Sequence, residues 1–334
     1  MSIKELNYPK IDYLFIMNRR RFLETISLCT SAIPFKIFAK DLNSCAPLKI
    51  LRTEIKAGLN KSLRFLHVSD SHNVIWDIRT PFQEKFSKIR RDRFSKSAQY
   101  WEEAVRYSKE KNLPILHTGD LCDFYNPAML DFVKESITNS NIIAYAVGNH
   151  ELSKRYGTFK DGLPNAEIKK NMQNSVGTDI EFSSKIVGGL NVISLNNGFY
   201  QFTEFQLERL NEEIKRGLPI LILCHIPIYS EAFFEKDFAY KSQRLNNTKS
   251  KKILPSLIGI PTELLEGCNS QIFAFRKSTN STAKLVEILQ KNPLIKGILC
   301  GHVHHTIVEK MPSGALQVCV AGGFDGWVNE ITIS

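Results

Sequence analysis

The sequence predicts an α/β fold: a layered, mixed β-sheet core flanked by helices. Three observations predict it. From residue 63 onward, short apolar runs alternate with longer stretches of helical periodicity. The apolar runs lack a polar alternate face, as expected of strands covered on both sides by other layers. After residue 300, "HTIVEKMPSGALQVCVAGG" and "WVNEITIS" read as strands joined in part by a Pro-Ser-Gly turn, so the sheet is mixed rather than purely parallel.

Taken in order, the strand candidates are Leu63–Ser69, Pro114–Thr118, Ile142–Val147, Leu190–Leu195, Pro219–Cys224 and Ile295–Cys300. Between them, Ser95–Lys111 places Ala98, Trp101, Ala104, Val105 and Tyr107 at helical spacing, and Pro127–Asn139, Thr203–Gly217 and Thr282–Asn292 read as further helices. Thr203-x-x-Gln206 forms a capping-box pattern at one end of its helix, and Gly217 stands where a C-terminal glycine belongs at the other. Two stretches break the rhythm. Residues 151–178 and 230–281 are polar and punctuated, and they directly follow suspected site residues, so they are expected to be insertions that shape the site. The second offers Lys236, Lys241, Arg244, Lys249, Lys251 and Lys252 as cations.

Bulk composition narrows the class. At 334 residues, 43% apolar and 23% charged, the chain belongs with globular proteins. Its net charge of +10 is unevenly spread: residues 1–61 hold 11 Lys+Arg against 5 Asp+Glu, and the remainder 33 against 29. A net of +4 over residues 62–334 is ordinary, so no stable nucleic-acid partner is expected. The cysteines form no C-x-x-C pair and read as small buried hydrophobes rather than a disulfide framework.

Residues 1–45 stand apart from a single domain over 46–334. Arg19-Arg20-Arg21-Phe22-Leu23 precedes an uncharged run from Thr25 to Phe35, too short to span a bilayer but of the length of an export signal's apolar core. The arginine pair resembles a twin-arginine signal, with Met17 as an alternative start, and so predicts export to the periplasm or cell envelope. Without that signal the expectation is cytoplasmic. No segment has the length and apolarity of a transmembrane helix.

The ends of the apolar runs carry the chemistry. They deliver Asp70-Ser71-His72, Gly119-Asp120-Leu121-Cys122-Asp123, Gly148-Asn149-His150-Glu151, His225 and Gly301-His302-Val303-His304-His305. Strand ends are where ligand sites collect in open α/β sheets. Asp70, His72, Asp120, Asn149, His225, His302 and His304 together mix carboxylate, amide oxygen and imidazole without thiolate. That set suits Mn, Fe or Zn, and seven ligands serve two ions if one carboxylate bridges. His67, His305 and Glu151 are expected to be structural.

D-x-H, G-D-x-x-D, G-N-H-E, a lone His and G-H-x-H, in this order, resemble the calcineurin-like metallophosphoesterase family from about Leu63 to His304. The resemblance implies a four-layer α/β/β/α sandwich. It also implies two divalent ions, one held by Asp70, His72, Asp120 and His304, the other by Asp120, Asn149, His225 and His302, with Asp120 shared. His150 would face the substrate and help the leaving group depart, and Asp123 would orient a ligand rather than bind metal. The implied reaction is hydrolysis of a small phosphorylated substrate by water or hydroxide bridging the two ions. A nuclease or phosphodiesterase acting on nucleic acid or nucleotides, and a non-catalytic metal-binding scaffold, are the alternatives. Asp123 is followed by Phe124-Tyr125 rather than the Arg-Gly of protein Ser/Thr phosphatases. It also occupies the position of the purple acid phosphatase tyrosine, so no purple charge-transfer band is expected.

Overall fold

The computed structural model describes residues 47–155, 166–244, 256–266 and 270–334. The expected export signal and the cations Lys249, Lys251 and Lys252 lie outside them. Among the described residues, eleven strands form two mixed sheets. The first sheet runs β1-β11-β2-β3-β4, from β1 (Lys49–Ile55), β2 (Leu63–Val68), β3 (Ile115–His117), β4 (Ile142–Tyr145) and β11 (Trp327–Ile333). The second runs β5-β6-β7-β8-β10-β9, from β5 (Phe182–Val187), β6 (Leu190–Leu195), β7 (Ile220–Leu223), β8 (Ile295–Cys300), β9 (Ile307–Lys310) and β10 (Leu316–Cys319).

The absence of polar alternation in the strands now has its reason: both faces of each sheet are covered. Along β2, Leu66 and Val68 face one core and Phe65 another; along β7, Ile220 and Ile222 face one core and Leu221 and Leu223 another. The shared middle core joins Phe65, Leu116, Leu190, Leu221, Leu299 and Ile331 from the two sheets. Outside the first sheet pack α2 (Ser97–Lys111), α3 (Pro127–Asn139) and α4 (Ala166–Val176), through Trp101, Met129, Val133, Ile168 and Met172. Outside the second pack α5 (Glu204–Ile214) and α8 (Asn280–Lys291), through Leu207, Leu210, Leu285 and Leu289. This is the α/β/β/α layering that the resemblance implies. α1 (Glu84–Arg93), α6 (Glu231–Arg244) and α7 (Ser270–Arg276) complete the helices of the described residues.

The capping box at Thr203 forms as expected, with Gln206 closing it from the other side. The described parts of the two stretches read as insertions contain helices. α4 lies in the first and buries Ile168, Met172 and Val176 at four-residue intervals, while α6 and α7 lie in the second. No described helix is long and apolar enough to cross a membrane.

Strands β2, β3 and β4 are mutually parallel, as are β6, β7 and β8, so both sheets present the C-terminal ends of their central strands. Two histidines near those ends belong to the packing. His67 meets Thr118 Oγ1 through Nε2 at 2.8 Å; His117 accepts the Gly119 N–H on Nδ1, which leaves Nε2–H to donate to Ser71 Oγ at 3.2 Å. Burial pushes each imidazole down to about 3 from 6.5. Each therefore stays neutral when folded but takes up a proton on unfolding below pH 6.5. The contribution to stability is whole above 6.5 and is lost as pH falls toward 3, at up to about 1.4 kcal/mol per pH unit for each ring. In chelator, denaturant titrations of a His117→Gln variant should show a shallower loss of stability across this window than the parent, by about one proton. Equal slopes would remove His117 from the acid response.

Candidate metal centre

The site begins as a backbone feature. Asp70, His72, Asp120, His302 and His304 all have positive φ, between 45° and 69°, a left-handed conformation that non-glycine residues seldom adopt. Each such residue costs on the order of 1 kcal/mol, and clusters of them mark functional sites. The left-handed steps at 70 and 72, and again at 302 and 304, turn alternate side chains inward past the strand ends. Neighbouring backbone holds the turns: Asp70 N–H donates to Gly119 O and His72 N–H to Asp120 O, both at 2.9 Å.

The glycines beside them act differently from one another. Gly119 has φ +94° and supplies the turn itself. Gly148 and Gly301 do not have positive φ; they permit close approach. A Cβ on Gly148 would lie 2.1 Å from Asp120 Oδ1, and one on Gly301 would lie 2.1 Å from Asp70 Oδ2.

The side chains gather in two clusters. Asp70, His72 and His304 form one, with His304 Nε2 3.2 Å from Asp70 Oδ1 and 3.1 Å from His72 Nε2. Asp120, His225 and His302 form the other, with His225 Nε2 3.1 Å from Asp120 Oδ2 and 3.2 Å from His302 Nδ1. The clusters touch through Asp120, whose Oδ2 also lies 3.7 Å from His72 Nε2. Asn149 is buried in the turn beside them, where the next amide, His150 N–H, donates to Asp120 Oδ1 at 3.0 Å.

Tautomers follow from the outer partners. His225 Nδ1 lies 2.8 Å from the Thr118 carbonyl and His72 Nδ1 lies 3.0 Å from Asp123 Oδ1, both acceptors only. Each Nδ1 therefore carries the hydrogen, and each ring, when neutral, aims an Nε2 lone pair at carboxylates and other imidazoles. Asp70 and Asp120 are fully buried, and among the described residues no Lys or Arg pairs with either. Converging lone pairs and buried carboxylates form a cradle for positive charge, and the donor set has the chemistry of a divalent-metal site. Burial works against the charged imidazole of His225, yet the Asp120 carboxylate pushes its pKa up to about 10. Burial likewise opposes the charged form of His150, while Asp120 and Asp123 push it up to about 9.

A third grouping, His72, Asp123 and His150, differs in kind. The Arg90 guanidinium forks onto both Asp123 oxygens, 2.6 Å from Oδ1, so the charge a metal would supply is already there. Despite its burial, Asp123 is held well below the usual carboxylate range by Arg90, His150 and His72. It accepts from His72, and its backbone carbonyl lies 2.7 Å from His150 Nδ1.

Several residues of the site carry no sequence signal. Arg90 lies on a helix without apolar periodicity, far in sequence from Asp123. Phe94 stacks on His72 at 4.7 Å, and Phe324 meets His72 and His304 edge-on. Tyr200 Oη lies 2.8 Å from His302 Nε2, and Arg276 donates to the same oxygen at 3.1 Å. Glu151, the last residue of the G-N-H-E motif, has the structural place expected of it. Its carboxylate accepts from the N–H groups of Asp120, Cys122 and Gly148 and from the Tyr145 hydroxyl, which ties the turn after β3 to the turn after β4.

The family model for calcineurin-like phosphoesterases matches residues 63–306. Among solved structures, a dimetal phosphatase from Danio rerio is similar at 14% identity, covering 78% of this chain and 88% of that one, with a TM-score of 0.44. An NAD nucleotidase from Haemophilus influenzae aligns at 14% identity, covering 78% of this chain and 45% of the other, with a TM-score of 0.37. For a 5'-nucleotidase from Candida albicans the values are 13% identity, 83% and 47% coverage, and a TM-score of 0.38. This chain thus spans about half the length of each nucleotidase. No curated protein matches the sequence.

Glu151→Gln replaces an all-acceptor group with one that must point N–H at N–H. Denaturant unfolding of this variant should show a loss of about 2–4 kcal/mol, the cost of stranding buried donors. A loss below about 0.5 kcal/mol would mean that the turns hold without it.

Proposed function

The chain belongs to the calcineurin-like phosphoesterase family of metal-dependent phosphoester hydrolases, and we propose that its two clusters hold two divalent ions that hydrolyse a small phosphate ester. The observation that carries this reading is the place of Asp120. Its Oδ2 lies within 4 Å of an imidazole nitrogen from each cluster, His225 and His72, as a carboxylate shared by two ions requires.

Asp70, His72, Asp120 and His304 would hold one ion, and Asp120, Asn149, His225 and His302 the other. When bound, such a pair lowers the pKa of water and neutralises phosphoryl oxygens during in-line displacement. The chain's own residues prepare that chemistry. Thr118 O and Asp123 fix the tautomers of His225 and His72. Arg90 keeps Asp123 ionised, so that Asp123 orients His72 and leaves the metal ligands' charge balance unchanged.

His150 is held by its Nδ1–H on the Asp123 carbonyl, which leaves Nε2 as the atom that can carry a proton toward a departing oxygen. That nitrogen stands 3.9 Å from Asp120 Oδ2, beside the clusters but outside both.

The test compares p-nitrophenyl phosphate with bis-p-nitrophenyl phosphate as substrates of metal-loaded protein, using Mn²⁺, Zn²⁺ or Fe. Asp120→Asn should abolish turnover and weaken both ions. His150→Ala should retain both ions and lose about 10²–10⁴ in kcat. The faster parent ester assigns a monoesterase or a diesterase. Turnover that survives Asp120→Asn would contradict the shared-carboxylate site, and full activity in His150→Ala would remove the proton donor.

A further inference from the structure

The segment leading into α1 is unusual in being both apolar and basic at its surface. Ile78, Phe82 and Ile89 are 85%, 75% and 60% exposed, the three most exposed large hydrophobic residues among those described. Phe82 and Ile89 are seven residues apart across the turn Pro81–Gln83 and α1, which places them on one side of the helix. Gln83, Ser87, Arg90 and Phe94 are buried and define the inward side.

Around the apolar residues, Lys85, Lys88, Arg91, Arg93 and Lys96 are all exposed. Residues 77–96 carry seven Lys+Arg against three Asp+Glu, a net of +4 that equals the net charge of residues 62–334 as a whole. Residues 46–334 carry a net of +7, so more than half of the domain's excess lies beside its most exposed apolar side chains.

We propose that residues 78–96 dock on an anionic lipid surface. Phe82, Ile89 and Ile78 would enter the headgroup–acyl boundary, and the basic side chains would meet lipid phosphates, the division of labour of interfacial helices. Charge argues against the other occupants available. A second copy would present the same net-positive face, and residues 1–46 of this chain carry seven Lys+Arg against four Asp+Glu, also net positive. A purely acidic polymer would satisfy the cations but leave three large apolar side chains in water.

Docking would also place the metal centre near the bilayer. The inward side of the same helix holds Asp123 through Arg90, and Phe94, next after α1, stacks on His72.

The experiment sediments the full chain with vesicles of phosphatidylcholine alone and of phosphatidylcholine with about one-third phosphatidylglycerol. The parent should bind the anionic vesicles and not the neutral ones. Phe82→Ser/Ile89→Ser should bind at least about tenfold more weakly while melting like the parent, since both side chains already lie in water. Lys85→Glu/Arg93→Glu should weaken binding as well, and added salt should act in the same direction. Parent-like binding by the Phe82→Ser/Ile89→Ser protein would overturn the proposal, because the remaining basic residues would then suffice. Equal binding to neutral vesicles, or no binding to anionic ones, would overturn it too. So would binding to single-stranded DNA that competes with vesicles and is indifferent to the serine substitutions, which would identify an acidic polymer as the partner.

Discussion

Two buried carboxylates that lack a basic partner set the terms for the rest of the molecule. Asp70 and Asp120 sit at the ends of adjacent parallel strands, fully buried, with imidazoles and backbone N–H groups but no Lys or Arg in reach among the described residues. An isolated carboxylate is far too costly to bury, so positive charge must be brought to this point. Four histidines converge there, and two of them are locked by outer acceptors so that lone pairs face inward. Neutral imidazoles in that arrangement leave the negative charge uncompensated. Divalent cations meet the requirement, as does protonation of His225.

The backbone is arranged to the same end and at a similar cost. Five of the seven expected ligands adopt left-handed conformations, a strain of about 5 kcal/mol in sum. That is comparable to the net stability of an ordinary domain. The turns therefore depend on what surrounds them: Glu151 beneath three backbone amides, the ladder from Thr118 to His72, and sheets buried on both faces. Glycine appears where side chains would occupy the carboxylates' space, at 148 and 301, and where the chain must turn, at 119.

Much of this was legible in the sequence, for physical reasons. Strands β2, β3, β6, β7 and β8 are buried on both faces and β4 is partly so, hence they read as continuous apolar runs, and their ends bear the polar residues that the site gathers. The six Asp and His residues expected as ligands are all found in the two clusters, and Asn149 lies buried in the turn next to them. Elements without an apolar period escaped. β1 and β5 are edge strands whose exposed positions carry residues such as Lys49 and Lys185. α1 buries Ser87 and Arg90 rather than aliphatic side chains. Arg90, Tyr200 and Phe324 reach the site from remote parts of the chain, and no local pattern announces such contacts.

The most direct measurement of the central claim is the number of metal ions retained per chain, taken on purified protein loaded with Mn²⁺ or Zn²⁺ and then freed of excess. Two ions in the parent, and fewer in Asp120→Asn, are what a shared carboxylate between two clusters requires. One ion or none in the parent would contradict it, and the buried charge would then have to be balanced by protonated histidines alone.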